Sequence, residues 1–122
     1  MTTGEVITGE LPSVQLSGPV FQGRARWTDL AALVGGPGPL AAVLTTFEPG
    51  AGTAWHTHEF AQVLVVTAGT GRLERPDGSV RLLGVGEAAV VAAGVVHRHA
   101  ADGEVAMTHV SLSVPGDLQL SE

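Results

Sequence analysis

The chain has five histidines, at positions 56, 58, 97, 99 and 109, and their spacing suggests chemistry. His56 and His58 stand two apart in GAGTAWHTHEFAQVLVVTAG, residues 50–69, and Gln62 follows four residues later. In an extended chain successive side chains alternate faces, so positions 56, 58 and 62 point the same way. Two imidazoles and an amide oxygen on one face form part of a ligand set for a divalent cation, and the set needs a third nitrogen. GEAAVVAAGVVHRHA, residues 86–100, supplies it at His97. The expected site is one metal ion per chain at His56, His58, Gln62 and His97. Imidazole and amide oxygen suit Mn, Fe, Ni, Co or Zn, and four protein ligands leave open positions on a six-coordinate ion.

Taken singly, a histidine on a strand is most often a surface residue or a satisfied core residue. Phase decides here. His97 and His99 share one face of their segment, and His109 shares its face with Met107, Ser111 and Ser113. Imidazoles are costly filling for an apolar core, so a common polar cavity accounts for them better. His99 and His109 lie outside the four-ligand pattern and are the candidate catalytic residues. A neutral imidazole titrates near neutrality and can take a proton from a substrate hydroxyl. The plainer role, orienting a ligand through an outer hydrogen bond, stays open for each. Alternation turns Glu59 away from the ligand face. It also turns Arg98 away, as a solvated or interface charge, while Trp55 is expected to pack rather than stack. Val43 and Thr45 share a face of the preceding strand and are placed along the cavity.

These side chains need short strands to position them. Strands are expected over 41–47, 62–67, 72–75, 80–83, 88–92, 97–100 and 105–114, punctuated by glycine-containing turns such as Pro76-Asp77-Gly78-Ser79. Regular spacing without long helices indicates an all-β barrel of two antiparallel sheets. Trp27, Leu30, Leu33 and Val34 have helix-like spacing. Thr28 is the expected cap of that turn, and Gly35-Gly36-Pro37-Gly38 its end. Residues 1–36 are expected to form an N-terminal arm and connecting segment, with a short strand over 14–16 packing on a neighbouring subunit. Residues 37–122 form the barrel. The apolar arm and open sheet edges predict a homodimer or a dimer of dimers. The tail from Pro115 is short and acidic.

Composition narrows the function. One domain of 122 residues with 44% hydrophobic residues can bury a core. With no Cys there is neither a disulfide nor a thiolate site. The absence of Lys and Tyr removes Schiff-base and tyrosine-acid chemistry, and the absence of Asn removes that ligand. Six arginines against twelve acids give a net charge of −6, which disfavours nucleic acid and anionic membranes as partners. The first twenty residues carry two acids and no base, so no signal or transit peptide is expected. No apolar run reaches the ~20 residues of a membrane span. The expectation is a soluble cytoplasmic protein acting on a small molecule.

The pattern Gly50-x5-His56-x-His58-x3-Gln62-x6-Gly69 resembles the first cupin motif, with Gln in place of the usual Glu. Gly86-x5-Ala92-x-Gly94-x2-His97-x3-Ala101 resembles the second, with Ala92 where Pro is usual and Ala101 where Asn is usual. The resemblance implies a cupin jelly-roll barrel in which His56, His58, Gln62 and His97 bind one divalent metal. TAWHTH, LVVTAGTGR, GVVHRHA and MTHVSL look like the small single-domain cupins that include the manganese hydroxynitrile lyases. That likeness favours Mn²⁺ and implies that His99 and His109 line the active site. Gln for Glu removes a negative charge from the ligand shell. The ion should then be a stronger Lewis acid, held less tightly. Three functions follow: a lyase that breaks a C–C bond of a hydroxylated small molecule, a metal-dependent dioxygenase, or a non-catalytic small-molecule-binding cupin.

Overall fold

The computed structural model describes residues 11–33, 40–114 and 118–121. Its first part holds β1 (Val14–Gln15), β2 (Phe21–Gln22), β3 (Ala25–Asp29) and a single turn of helix, α1 (Leu30–Leu33). Then come β4 (Ala41–Phe47), β5 (Gly52–Thr53), β6 (His56–His58), β7 (Gln62–Ala68) and β8 (Gly71–Glu74). β9 (Val80–Leu83), β10 (Ala88–Val91), β11 (Arg98–Ala101), β12 (Met107–Ser113) and β13 (Leu118–Leu120) complete the order. One antiparallel sheet runs β1-β3-β4-β12-β7-β10, and the other runs β2-β5-β11-β8-β9. β13 pairs separately with β6. This is an all-β, two-sheet jelly-roll barrel. Among the described residues no helix is long and apolar enough to cross a membrane.

Alternation builds the interior. Along β7, Gln62, Leu64 and Val66 are buried while Val63 and Val65 are only half-buried. Phe47 is fully buried beside Met107, Val66, Ala25 and Ala51. Removing a side chain of that size from water contributes about 1.5–3 kcal/mol. The turn between β7 and β8 demands glycine: Gly69 has φ +71°, and a Cβ there would lie 2.2 Å from the Ala106 carbonyl oxygen. In the β8–β9 hairpin, Ser79 N–H donates to Asp77 Oδ1 at 2.8 Å, where the turn chemistry is expected.

The N-terminal part differs from expectation. The expected single turn of helix is present as α1, but a strand not expected there precedes it: residues 25–29 each pair with β4, from Ala25 opposite Phe47 to Asp29 opposite Val43. Local spacing loses to sheet hydrogen bonding. The helical turn is capped by Asp29, whose Oδ1 accepts from Ala32 N–H at 3.2 Å. The Thr28 hydroxyl instead donates to the Pro12 carbonyl at 2.5 Å. Residues 34–39, and with them the expected glycine-proline stop, lie outside the described residues. β1 pairs with β3 of its own chain, Val14 opposite Trp27. Leu16 and Phe21 pack against the core. Val14 stays 59% exposed, so part of the arm's apolar surface remains open. The C-terminal tail is likewise more than a tail: β13 lies along β6, with Leu118 opposite His58 and Leu120 opposite His56.

Candidate metal centre

β6 begins where the chain crosses from one sheet to β13, and His56 is tied there to His97. His56 N–H donates to His97 O at 2.9 Å, and His97 N–H returns a bond to His56 O at 3.0 Å. The backbone pair brings the imidazoles together, with ring centroids 4.3 Å apart. His58 follows one alternation later, its ring 4.8 Å from that of His56 and 5.4 Å from that of His97. Gln62, the first residue of β7, lines a cavity together with His56 and His58.

Their hydrogen bonds fix which atoms are free. His56 Nδ1 lies 2.8 Å from the Ala54 carbonyl and His97 Nδ1 lies 2.9 Å from the Val95 carbonyl. A carbonyl only accepts, so both Nδ1 atoms carry the proton and both Nε2 atoms present a lone pair. Gln62 Nε2 donates to Ser111 Oγ at 2.7 Å, which turns Oε1 away from that partner. His58 Nε2, Gln62 Oε1 and His97 Nε2 are buried with no hydrogen-bond partner. A buried polar atom left unpaired costs about 1–3 kcal/mol, and with His58 and Gln62 on one cavity and the His58 and His97 rings 5.4 Å apart these atoms call for an occupant. A divalent cation fits this nitrogen and amide-oxygen donor set. One feature departs from the expected quartet. The tightest group of ionisable ligands among the described residues is His56, His97 and His99, with donor atoms within 4.8 Å of one another, and His58 lies outside it. His58 sits a strand step further from the His56–His97 bridge.

Behind this group His109 Nε2 and His99 Nδ1 meet at 3.1 Å. One must donate and the other accept, so two neutral rings share one proton along that line. His99 is anchored by its backbone N–H to Thr53 Oγ1 at 3.1 Å. Phe47 packs edge-on against its ring, with centroids 5.9 Å apart. His109 Nδ1 is a fourth buried atom without a partner.

Burial favours neutral rings throughout. Desolvation is the leading cause in every case: it pushes His56 and His109 down to about 4 and His99 well below its ordinary value. His58 and His97 are lowered for the same reason. For His99 and His109 the direction is below the near-neutral value expected of a free imidazole, with burial the main cause.

The cavity in front holds about 360 Å³. Val43 and Thr45 line it, with Phe21, Phe47, Leu118 and Ser111. Among the described residues, none that lines it bears a carboxylate, ammonium or guanidinium. A cleft of about 520 Å³ over Arg26, Trp27 and Thr46 is larger but carries no histidine, so size alone does not mark a site.

The sequence model of the Cupin domain family matches residues 43–114, which span β4 to the end of β12. The chain belongs to the cupin family. Over 76 residues this cupin is 43% identical to an (R)-mandelonitrile lyase of Granulicella tundricola, covering 62% of this chain. The match spans only 58% of that relative's length. A cupin-like protein of Thermotoga maritima superposes with a TM-score of 0.82 at 27% identity, covering 96% of this chain and 89% of the other. The polyketide cyclase RemF of Streptomyces resistomycificus superposes with a TM-score of 0.81 at 18% identity, over 99% of this chain and 87% of its own. That last likeness is one of fold.

Two features of the cupin site escape sequence reasoning. Parity places Ser111 on the His109 face, yet nothing local reveals that it meets Gln62. Arg98 and Trp55 are the larger surprise. Trp55 does stack, with the Arg98 guanidinium carbon 4.5 Å from its ring centroid. Arg98 pairs with Glu74 while its side chain stays 36% exposed.

Proposed function

We propose that this cupin is a metal-dependent lyase that breaks a C–C bond in an uncharged, hydroxylated small molecule of the hydroxynitrile type. The observation that carries this reading is that His58 Nε2, Gln62 Oε1 and His97 Nε2 are buried without partners in a barrel that also buries the His99–His109 pair. The likeness to a mandelonitrile lyase supports the substrate class. So does a cavity wall without formal charge, which offers nothing to pair with a carboxylate or phosphate. Mn²⁺ is the proposed ion, on the sequence resemblance to the manganese hydroxynitrile lyases.

His56, His58, Gln62 and His97 would hold a divalent ion, which would supply Lewis acidity toward a substrate hydroxyl. The hydroxyl proton passes to the unpartnered Nδ1 of His109. The electron pair left on oxygen forms the C=O bond, and the C–C bond breaks with its pair on the cyano carbon. The imidazolium returns its proton to cyanide, giving a neutral carbonyl product and HCN. Hydrogen-bonded to His109, His99 spreads the transient positive charge, and the apolar wall of Phe21, Phe47 and Leu118 excludes water that would compete.

Elemental analysis of the purified protein, then mandelonitrile cleavage measured before and after chelation, tests the reading. One metal ion per chain and chelator-sensitive benzaldehyde release are expected. Oxygen uptake with an enolic substrate and no cleavage of mandelonitrile would overturn the lyase in favour of a dioxygenase.

A further inference from the structure

We infer that Trp55, Arg98 and Glu74 form a clasp on the outside of the barrel that sets the spacing of His56 and His97 inside it. The inference rests on the metal-site reading above. His56 and His97 exchange both backbone hydrogen bonds, so their chain neighbours Trp55 and Arg98 stand opposite each other across the same two segments. Alternation puts the two imidazoles inside and the indole and guanidinium outside. The Arg98 guanidinium lies over the Trp55 ring, 4.5 Å from carbon to centroid. In the next strand of the row, Glu74 faces Arg98 in register and accepts from Arg98 Nε at Oε2. Its other oxygen, Oε1, accepts from Arg72 Nε, and Arg72 reaches Asp102 Oδ1 at 3.3 Å. Glu74 is thus held from two sides, with its side chain only 14% exposed.

The mechanical consequence follows from where β6 sits. Among the described residues it belongs to neither large sheet: β13 and the His56–His97 bridge pair with it, and single bonds from Gly94 N–H to His58 O at 3.0 Å and Ser121 N–H to Trp55 O at 2.9 Å add to them. These ties hold the His56 backbone from the β13 side and across the bridge, but none of them reaches β8. The stacked guanidinium carries the tie outward from the bridge to β8, a strand with partners on both sides. Arg98 is a flat cation that can lie on an indole face and bond a carboxylate edge-on at once. Arg98, Trp55 and Glu74 are positioning residues. None belongs to the proposed ligand set; Trp55 and Arg98 adjoin His56 and His97 in the chain, and Glu74 acts through Arg98.

The test is divalent-metal affinity by competition titration with Mn²⁺, on the wild type and on Arg98→Gln, Trp55→Ala, Trp55→Phe and Glu74→Gln. The first, second and fourth variants should lose about 10- to 100-fold in affinity, the range seen when partners behind a ligand are removed. Trp55→Phe keeps an aromatic face under the guanidinium and should stay near the wild type. Absorption of the Co²⁺-loaded protein should shift in Arg98→Gln and not in Trp55→Phe, a signature that mere loss of stability would not produce. Circular dichroism under chelator identifies which variants are folded, and Glu74→Gln carries the test if Trp55→Ala is not. Wild-type affinity with an unchanged Co²⁺ spectrum in both Arg98→Gln and Glu74→Gln would overturn the clasp while leaving the metal site standing. A wild type that takes up no divalent ion would overturn both.

Discussion

Gln62 Nε2 and Ser111 Oγ meet at 2.7 Å, and this contact decides which end of the Gln62 amide faces the cavity. With the NH₂ group committed to Ser111, the oxygen is the end presented among the imidazoles. Ser111→Ala should free the amide to rotate and weaken divalent-metal binding by about 10-fold, the lower end of the range for outer partners. Gln62→Glu should do the reverse, since a carboxylate adds a negative charge to the ligand shell, and turnover should fall as the ion becomes a poorer Lewis acid. Parallel titrations and rate measurements check both directions. Tighter binding together with faster turnover in Gln62→Glu would show that charge at this position does not limit the chemistry.

His56→Ala should abolish metal binding and leave a folded barrel. The His56 ring is 1% exposed, so its loss opens a small cavity, but the core of Phe47, Met107, Val66 and Ala25 does not depend on it. Elemental analysis reads the first part, and a denaturant unfolding curve the second. Loss of cooperative unfolding would make the metal structural instead.

How much of this is legible in the sequence depends on whether a rule is local. Strand alternation is local, so one face for His56, His58 and Gln62, and the turn at Asp77-Gly78, can be read residue by residue. Pairing is not local. Trp27, Leu30 and Leu33 carry a helical spacing, yet the ladder between β3 and β4 holds Trp27 extended, opposite Thr45. The meeting of Arg98 with Glu74 spans 24 positions and depends on β8 and β11 being neighbours. Burial also has no local signature, so the downward push on the His109 pKa cannot be read from its neighbours in the chain.

Acid should destabilise the metal-free protein in a particular window. Burial holds His56 and His109 down to about 4 in the folded chain, from 6.5 when solvated. The unfolded chain binds protons at these positions first as pH falls, so the unfolded state gains. Stability is fully present above 6.5, declines from there to about 4, and levels off for these groups below. Glu74, held low by Arg72 and then Arg98, loses its contribution only below its ordinary 4.5, so the upper part of the decline belongs to the histidines. Denaturant midpoints in chelator, measured across that window, should follow this course. A flat profile above 4.5 would mean that the folded rings take up protons freely.

The last expectation concerns proton transfer. Neither His99 nor His109 is in the proposed ligand quartet, yet the two share a proton at 3.1 Å, and both line the cavity. If His109 is the base, His109→Ala should cut mandelonitrile turnover by about 10²- to 10⁴-fold. Metal content should stay near one ion per chain. His99→Ala should have a smaller effect, because it removes the partner of His109 Nε2 and leaves Nδ1 in place. The acid limb of the wild-type rate profile should fall well below neutrality, since burial pushes His109 to about 4. The apparent value belongs to the coupled pair, so His99→Ala should move it. An outer orienting role predicts a different outcome: metal affinity drops and the shape of the pH profile stays. Full activity in both single variants would sink the acid–base role and leave Lewis-acid catalysis alone, or no catalysis.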